Sequence, residues 1–429
     1  MALFGRKQAP VETEPEPTPD PTLAGAPAPQ PNGLRSVSSQ REFMLSKVEP
    51  LMPFGMRLLD AWGLSLCEDL VADGDLPPVP ESECDGYAVR ASDVANAAAG
   101  VQVDLSVRGD AHKVGSAVPV YAGQPLPGGA DAVAPLALVR AEGKRLRVWE
   151  PVASGQHVRS AGIDAADGEV LIHAGTQLDA RVIGLLAGAG FDKVFCRPRP
   201  RIVVLGVGDA RQADEVPQDA PAPRRDAASH LVAAAAKSDG AQVWRESVTG
   251  VTPDEVADVV SDQLIRADLM IICGGLAGGR EGLLGQAMAS LGHTDFAEIA
   301  MEPGGLQGFG IIGQDQVPVL MLPSDPLSAF VAFELFAHPL IRTLMGARDI
   351  GLSQVDCRLT MDVAGQSGVL QVVGGVITRN SEQWQVTPLD FAEGSLTTLV
   401  DADALIMLGP ELGTVSAGAV VTCWMLTAD

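Results

Sequence analysis

The sequence predicts a multidomain α/β protein. A parallel-sheet α/β domain is joined to an elongated helix/β N-terminal region, a small β domain and a C-terminal β-barrel. Three observations predict this. From residue 201, strand-length apolar runs alternate with helical patterns, as in crossover-connected parallel strands. On either side, residues 77–150 and 348–429 break into short runs punctuated by Gly and Pro, which suits small sheets. The stretch QAPVETEPEPTPDPTLAGAPAPQPNG (8–33) is too poor in large apolar residues to order itself.

Taken in order, residues 1–35 are expected to form a disordered Pro-rich tail. MALFGRK at its start reads as a frayed terminus or as a short docking motif. Residues 36–76 and 153–200 lie on either side of the small β domain. Their helices start at SVSSQREFML, behind a Ser cap, and at LDARVIGLLAGAG, which ends in Gly. Residues 77–152 form the small β domain. Residues 201–347 form the α/β domain: RIVVLGVGD is a buried strand, helices follow near 226–238 and 253–266, and DLMIICGGLAGG and VPVLMLPSDP are further strands running into turns. Ligands in such folds sit beyond the carboxyl ends of the strands, so GVGD, CGGLAGG and LPSDP should line one pocket. Residues 348–429 return to short strands, a small β-barrel or sandwich.

The bulk numbers narrow the function. A net charge of −24 argues against nonspecific binding to nucleic acid or anionic lipid. The six cysteines include no CxxC pair, which disfavours a zinc site and fits a reducing cytosol. No apolar run reaches the length of a membrane span, and MALFGRK lacks a signal-peptide core, so a cytoplasmic location is expected.

The segment MEPGGLQGFGIIGQDQVPVLMLPSDPLSAFVAFELF (301–336) poses the functional question. A buried strand, a tight turn and a helix start form a layout that presents backbone N–H groups to an anion. Yet its loops carry Glu302 and no Lys or Arg.

Five motifs answer it in part: DGYAV (85–89), AGQPLPGGADAV (122–133), GQHVRSAGIDAADGEVLIHAGTQL (155–178), RPRIVVLGVGD (199–209) and LPSDPLSAFVAFELF (322–336). In order and spacing, over about residues 38–429, the chain resembles the molybdopterin molybdenumtransferases, the MoeA/gephyrin family. The resemblance implies four subdomains: 36–76 together with 153–200, 77–152, 201–347 as a molybdopterin-binding-like domain, and 348–429 as a C-terminal β-barrel. It also implies a homodimer whose cleft joins the α/β domain to the small β domain of the other subunit. The implied reaction is Mg2+-dependent insertion of molybdate into adenylylated molybdopterin with release of AMP. By the same resemblance Asp85, Asp164 and Asp209 are catalytic, and Asp209 and Asp226 ligate magnesium, a cation that takes oxygen ligands. Arg159, Gly274, Gly275, Pro323, Pro326 and Ser328 bind substrate.

The chain departs from the family pattern where charge matters most. Ile163 replaces a Glu, Ala210 an acid and Ala122 a Thr, and Gly282 falls near a family Asp. The two lysines of a KPGKP turn become Glu302 and Gly305, and GNP becomes SDP with Asp325 added. The ligands are anions, and one close charge pair is worth about 4 kcal/mol at an effective dielectric near 20. Reversing one such charge and deleting another implies impaired turnover. Arg159, with Arg280 as a second, is the remaining cation. The alternative function is an inactive, gephyrin-like dimeric scaffold that binds peptide segments of partner proteins through the tail or the dimer cleft.

Overall fold

The computed structural model describes residues 23–98, 100–109, 112–208, 226–248, 252–379, 383–389 and 396–426. It divides into two compact units, Pro53–Cys196 and the rest of the chain.

The larger unit is built on a six-stranded sheet. Its order is Gln242–Val248, Arg201–Val207, Leu269–Cys273, Val317–Leu322, Leu306–Ile312 and Gly292–Glu298. The first four strands are parallel and the last two antiparallel. Strands such as LMIIC are buried along their whole length because helices cover both faces. Alternate residues therefore enter different cores. Ile202, Val204 and Ile271 pack with Phe333 and Phe336, while Val203, Leu205 and Ile272 pack with Val256, Val260 and Leu284.

Local signals set the helix starts. Ser36 caps Val37–Leu45, and Thr252 with Glu255 forms a capping box ahead of Pro253–Leu264. The helix Pro326–Leu344 is long and apolar enough to cross a membrane by length and composition, but 78% of it is buried inside the protein. Its middle turn, Phe333–Ala337, widens to π geometry.

The sheet's two antiparallel strands lie in sequence the periodicity does not mark. Gly308 and Gly310 interrupt the strand pattern of LQGFGII. The structure shows why they are glycine: a Cβ at 308 would lie 2.9 Å from Phe296, and one at 310 would lie 2.7 Å from Thr294.

Beyond residue 353, five strands close into a barrel: Leu370–Arg379, Trp384–Pro388, Gln354–Leu359, Val420–Met425 and Ala404–Leu408, which pairs back onto the first. The expectation of a multidomain α/β chain with a C-terminal barrel holds. The tail reading needs correction at its end. Residues 1–22 lie outside the described residues, but Leu23 is buried in the core and Arg35 pairs with Asp295. One apolar anchor and one buried ion pair fix 23–35, which average composition does not register. Residues 23–52, with the first helix, belong to the larger unit rather than with 53–76.

The smaller unit contains a six-stranded sheet ordered Ala132–Pro135, Gly86–Val89, Ser116–Val120, Val103–Val107, Arg145–Val148 and Val139–Glu142. Three two-stranded ribbons and the helix Ala180–Gly188, capped by Asp179, complete it.

Candidate active site

In the larger unit the strand order reverses at Arg201–Val207. The second strand of the α/β domain lies on one side of it and the third on the other. A crevice opens at such a switch point beyond the carboxyl ends of the strands. Gly274 sits there at φ +95°, where a Cβ would be 2.3 Å from the Val207 carbonyl oxygen and 3.5 Å from Ser324. Its N–H donates to the Leu322 carbonyl at 2.9 Å. Gly275, at φ +72°, lies against Val207 Cγ1. Gly304 approaches so closely that a Cβ would be 2.8 Å from the Ser328 carbonyl. Glycine thus lets the turns after three strands and the 303–305 turn converge, bringing Gly274, Gly275, Pro323, Pro326 and Ser328 to one end of the sheet.

At this end Asp226 and Arg245 pair with each other, and Asp325 is engaged as a helix cap. Asp325 caps the helix Pro326–Leu344, accepting from the Ser328 N–H at 2.9 Å and the Ser328 hydroxyl at 2.8 Å. Glu302 is exposed on a two-residue strand paired with Leu370–Arg379. At Gly305 a Cβ would be 2.9 Å from the Ile299 carbonyl, so a lysine there would be crowded. Arg280 lies on the exposed turn Gly279–Glu281.

Asp226 is the most constrained acid. One oxygen accepts from the Ser229 N–H at 3.0 Å, and the other from the Ser229 hydroxyl and from Arg245 Nη1 at 3.3 Å. It presses on Gly206, where a Cβ would lie 1.9 Å from its carboxylate. Arg245 also bonds Ser229 Oγ at 3.0 Å and Ser247 Oγ at 2.9 Å. Burial first, and then the Asp226 charge, push the neighbouring Cys273 thiol up, which keeps it protonated and inert.

Sequence reasoning missed Arg245, Ser229 and Ser247. The signal was present but weak: Arg245 and Ser247 are i and i+2 on Gln242–Val248, so they share a face, and Ser247 stands in register with Gly206. Asp209 lies outside the described residues. These residues do not fit a magnesium ion at Asp226, because a guanidinium already occupies hydrogen-bonding range of its carboxylate. Among the described residues no three His, Cys, Asp or Glu converge on a metal position.

The smaller unit carries the other expected residues. Asp85 is exposed and accepts from the Ala122 N–H at 3.0 Å, tying GYAV to the AGQPLP loop. Arg159 and Asp164 pair directly with each other, and Arg159 lies 3.7 Å from Glu81. The Asp164 hydrogen bond, more than any other cause, holds the Arg159 pKa above its ordinary value.

Residues 35–190 match the family model of the MoeA N-terminal region (domain I and II), and residues 203–343 match that of the probable molybdopterin binding domain. Molybdopterin molybdenumtransferase 1 of Mycobacterium tuberculosis is 32% identical over 419 residues, covering 90% of this chain and 98% of its own. The chain belongs to the MoeA family. A second relative, molybdopterin molybdenumtransferase 2 of the same organism, is 27% identical over 92% of this MoeA-family chain and 100% of its own. The structure of the molybdopterin biosynthesis MoeA protein of Pyrococcus horikoshii OT3 matches the fold with a TM-score of 0.73, at 21% identity, over 91% of this chain and 100% of that one.

The larger unit of this MoeA-family chain also holds an apolar cavity of about 670 Å3 that shares no residue with the strand-end site. Val37, Leu45, Leu335, Met407 and Trp424 line it, and Arg41 stacks on Trp424 with 5.9 Å to the ring centroid. Burial there lowers the Arg41 pKa.

Proposed function

We propose that this protein acts in molybdenum cofactor biosynthesis as a weakened molybdopterin molybdenumtransferase. It binds adenylylated molybdopterin over the strand ends at 207–208, 273–275 and 322–328. The observation that supports this best is the convergence of the Gly274–Gly275 and 322–328 turns at the switch point, within a chain related over 90% of its length to a molybdopterin molybdenumtransferase. Glycine lets the ligand approach the backbone closely there, where lysines are lacking, although the Gly274 and Ser328 N–H groups are already bonded to the Leu322 carbonyl and to Asp325. Asp85, Arg159 and Asp164 of a partner subunit complete the site in a homodimer. In support, Leu59 and Phe195 of the smaller unit stand largely exposed.

The test is AMP release from adenylylated molybdopterin on adding molybdate. Turnover is expected, at least tenfold below that of Mycobacterium tuberculosis molybdopterin molybdenumtransferase 1. Complete silence from folded protein that still binds AMP would favour a second reading, a non-catalytic scaffold. Its supporting observation is that Asp325 places a carboxylate on the helix start where a phosphate would sit. The cavity around Trp424 is then the surface to test, by titrating partner peptides against Trp424→Ala.

A further inference from the structure

The resemblance brings magnesium to Asp226, and the structure brings an arginine. Arg245 reaches the carboxylate from the edge strand, at 3.3 Å. Ser229 and Ser247 hold it from two further sides, at 3.0 and 2.9 Å. Gly206 gives up its side chain so that the cluster can lie on the end of the first strand. Both residues of the pair are about 30% exposed, so the cluster is open to solvent. A divalent cation on the same carboxylate would stand within a few ångströms of the guanidinium, and the two like charges would repel. One nitrogen of Arg245, Nη1, donates to both hydroxyls and to the carboxylate, which holds that end of the guanidinium beside Asp226.

We infer that Arg245 holds the place of a divalent cation at Asp226, and that it supplies the positive charge by which this chain meets the phosphate of its ligand. Binding at this position is therefore independent of magnesium. The phosphate half of the inference rests on the pterin-nucleotide reading above, whereas the cation half does not.

The experiment separates the two. Full-length protein is titrated with Mn2+ as a magnesium surrogate, with bound metal counted by electron paramagnetic resonance. In parallel, AMP is titrated calorimetrically with Mg2+ or with EDTA. Arg245→Gln should gain one Mn2+ site over wild type, and the added change Asp226→Asn should remove it. Arg245→Lys, which keeps the charge, should gain none and shows whether the fold survives substitution. AMP should bind wild type equally with Mg2+ and EDTA, and at least tenfold more weakly after Arg245→Gln. A wild-type Mn2+ site that Asp226→Asn abolishes would overturn the inference. So would Arg245→Gln gaining no site. If Mn2+ behaves as expected but AMP binds no variant, the pterin-nucleotide reading fails while Arg245 keeps its place at Asp226.

Discussion

Asp325 and Ser328 close on each other across the first turn of the helix Pro326–Leu344, carboxylate to N–H at 2.9 Å and carboxylate to hydroxyl at 2.8 Å. The N–H groups that would face an anionic ligand at this strand end already have a resident anion. Asp325→Asn keeps a capping side chain and removes the charge. AMP should then bind about 2- to 5-fold more tightly, since a capping-range charge term is worth up to about 1 kcal/mol. The helix keeps its cap but loses the favourable charge at its N-terminus, so the thermal midpoint should fall slightly. Asp325→Ala should instead cost about 1 kcal/mol of stability through loss of the cap. Equal AMP affinity in wild type and Asp325→Asn would show that this carboxylate does not set anion binding.

Restoring the family's lysines should not be symmetrical. Glu302 is exposed on its turn, so Glu302→Lys replaces repulsion with attraction at little structural cost. AMP affinity should rise about tenfold, for a net gain near 1.4 kcal/mol after screening. Gly305→Lys must fit a Cβ 2.9 Å from the Ile299 carbonyl oxygen. It should lower the denaturation midpoint and recover less affinity. Calorimetry and urea melts on the two variants measure both effects.

These residues also show where sequence reading reaches its end. The strands RIVVLGV, LMIIC and VPVLML were legible because burial on both faces writes continuous apolar runs. The helix starts were legible because Ser36, Thr252 and Asp325 write their caps locally. The antiparallel strands around Gly308 and Gly310 were not, because their glycines answer to Phe296 and Thr294 rather than to strand propensity. Among the site residues, Gly274 and Gly275 declare themselves by chemistry, since few residues tolerate positive φ. Arg245 does not. Its role depends on a partner 19 residues away, brought close by a crossover that periodicity cannot place.

Two glycine substitutions should have opposite signs. Gly274→Ala puts a Cβ 2.3 Å from the Val207 carbonyl, in a left-handed conformation. It should destabilise the protein by about 2 kcal/mol or more, and separate the turns that form the ligand site. Gly184 lies exposed within the helix Ala180–Gly188, with nothing near an added Cβ. Gly184→Ala should stabilise by about 0.5–1 kcal/mol through helix propensity and a less flexible unfolded chain. Denaturant midpoints settle both. A destabilised Gly184→Ala would mean that this helix face is covered in the assembled protein.

The last prediction concerns a buried acid away from the strand ends. Glu334 lies on the widened turn of the long helix, and burial, followed by the Asp239 charge, pushes its pKa from an ordinary 4.5 up to about 8. His338, one turn on, bonds Asp239 at 2.9 Å, so that partner's charge is itself held in place. Below about pH 4.5 both folded and unfolded chains carry the Glu334 proton, and the group has no effect on stability. As pH rises from there towards 8, the unfolded chain releases the proton while the folded chain keeps it. Folded protein then binds more protons than unfolded, and stability falls with rising pH until it levels above 8. The loss across this window should be on the order of a few kcal/mol. Glu334→Gln removes the titration without changing the side-chain shape. Urea melts at pH 4.5 should therefore superimpose for wild type and variant, and at pH 8 the variant should be the more stable. A difference that did not grow between these two pH values would mean that Glu334 is ionised in the folded protein, and that a positive charge compensates it against burial and Asp239.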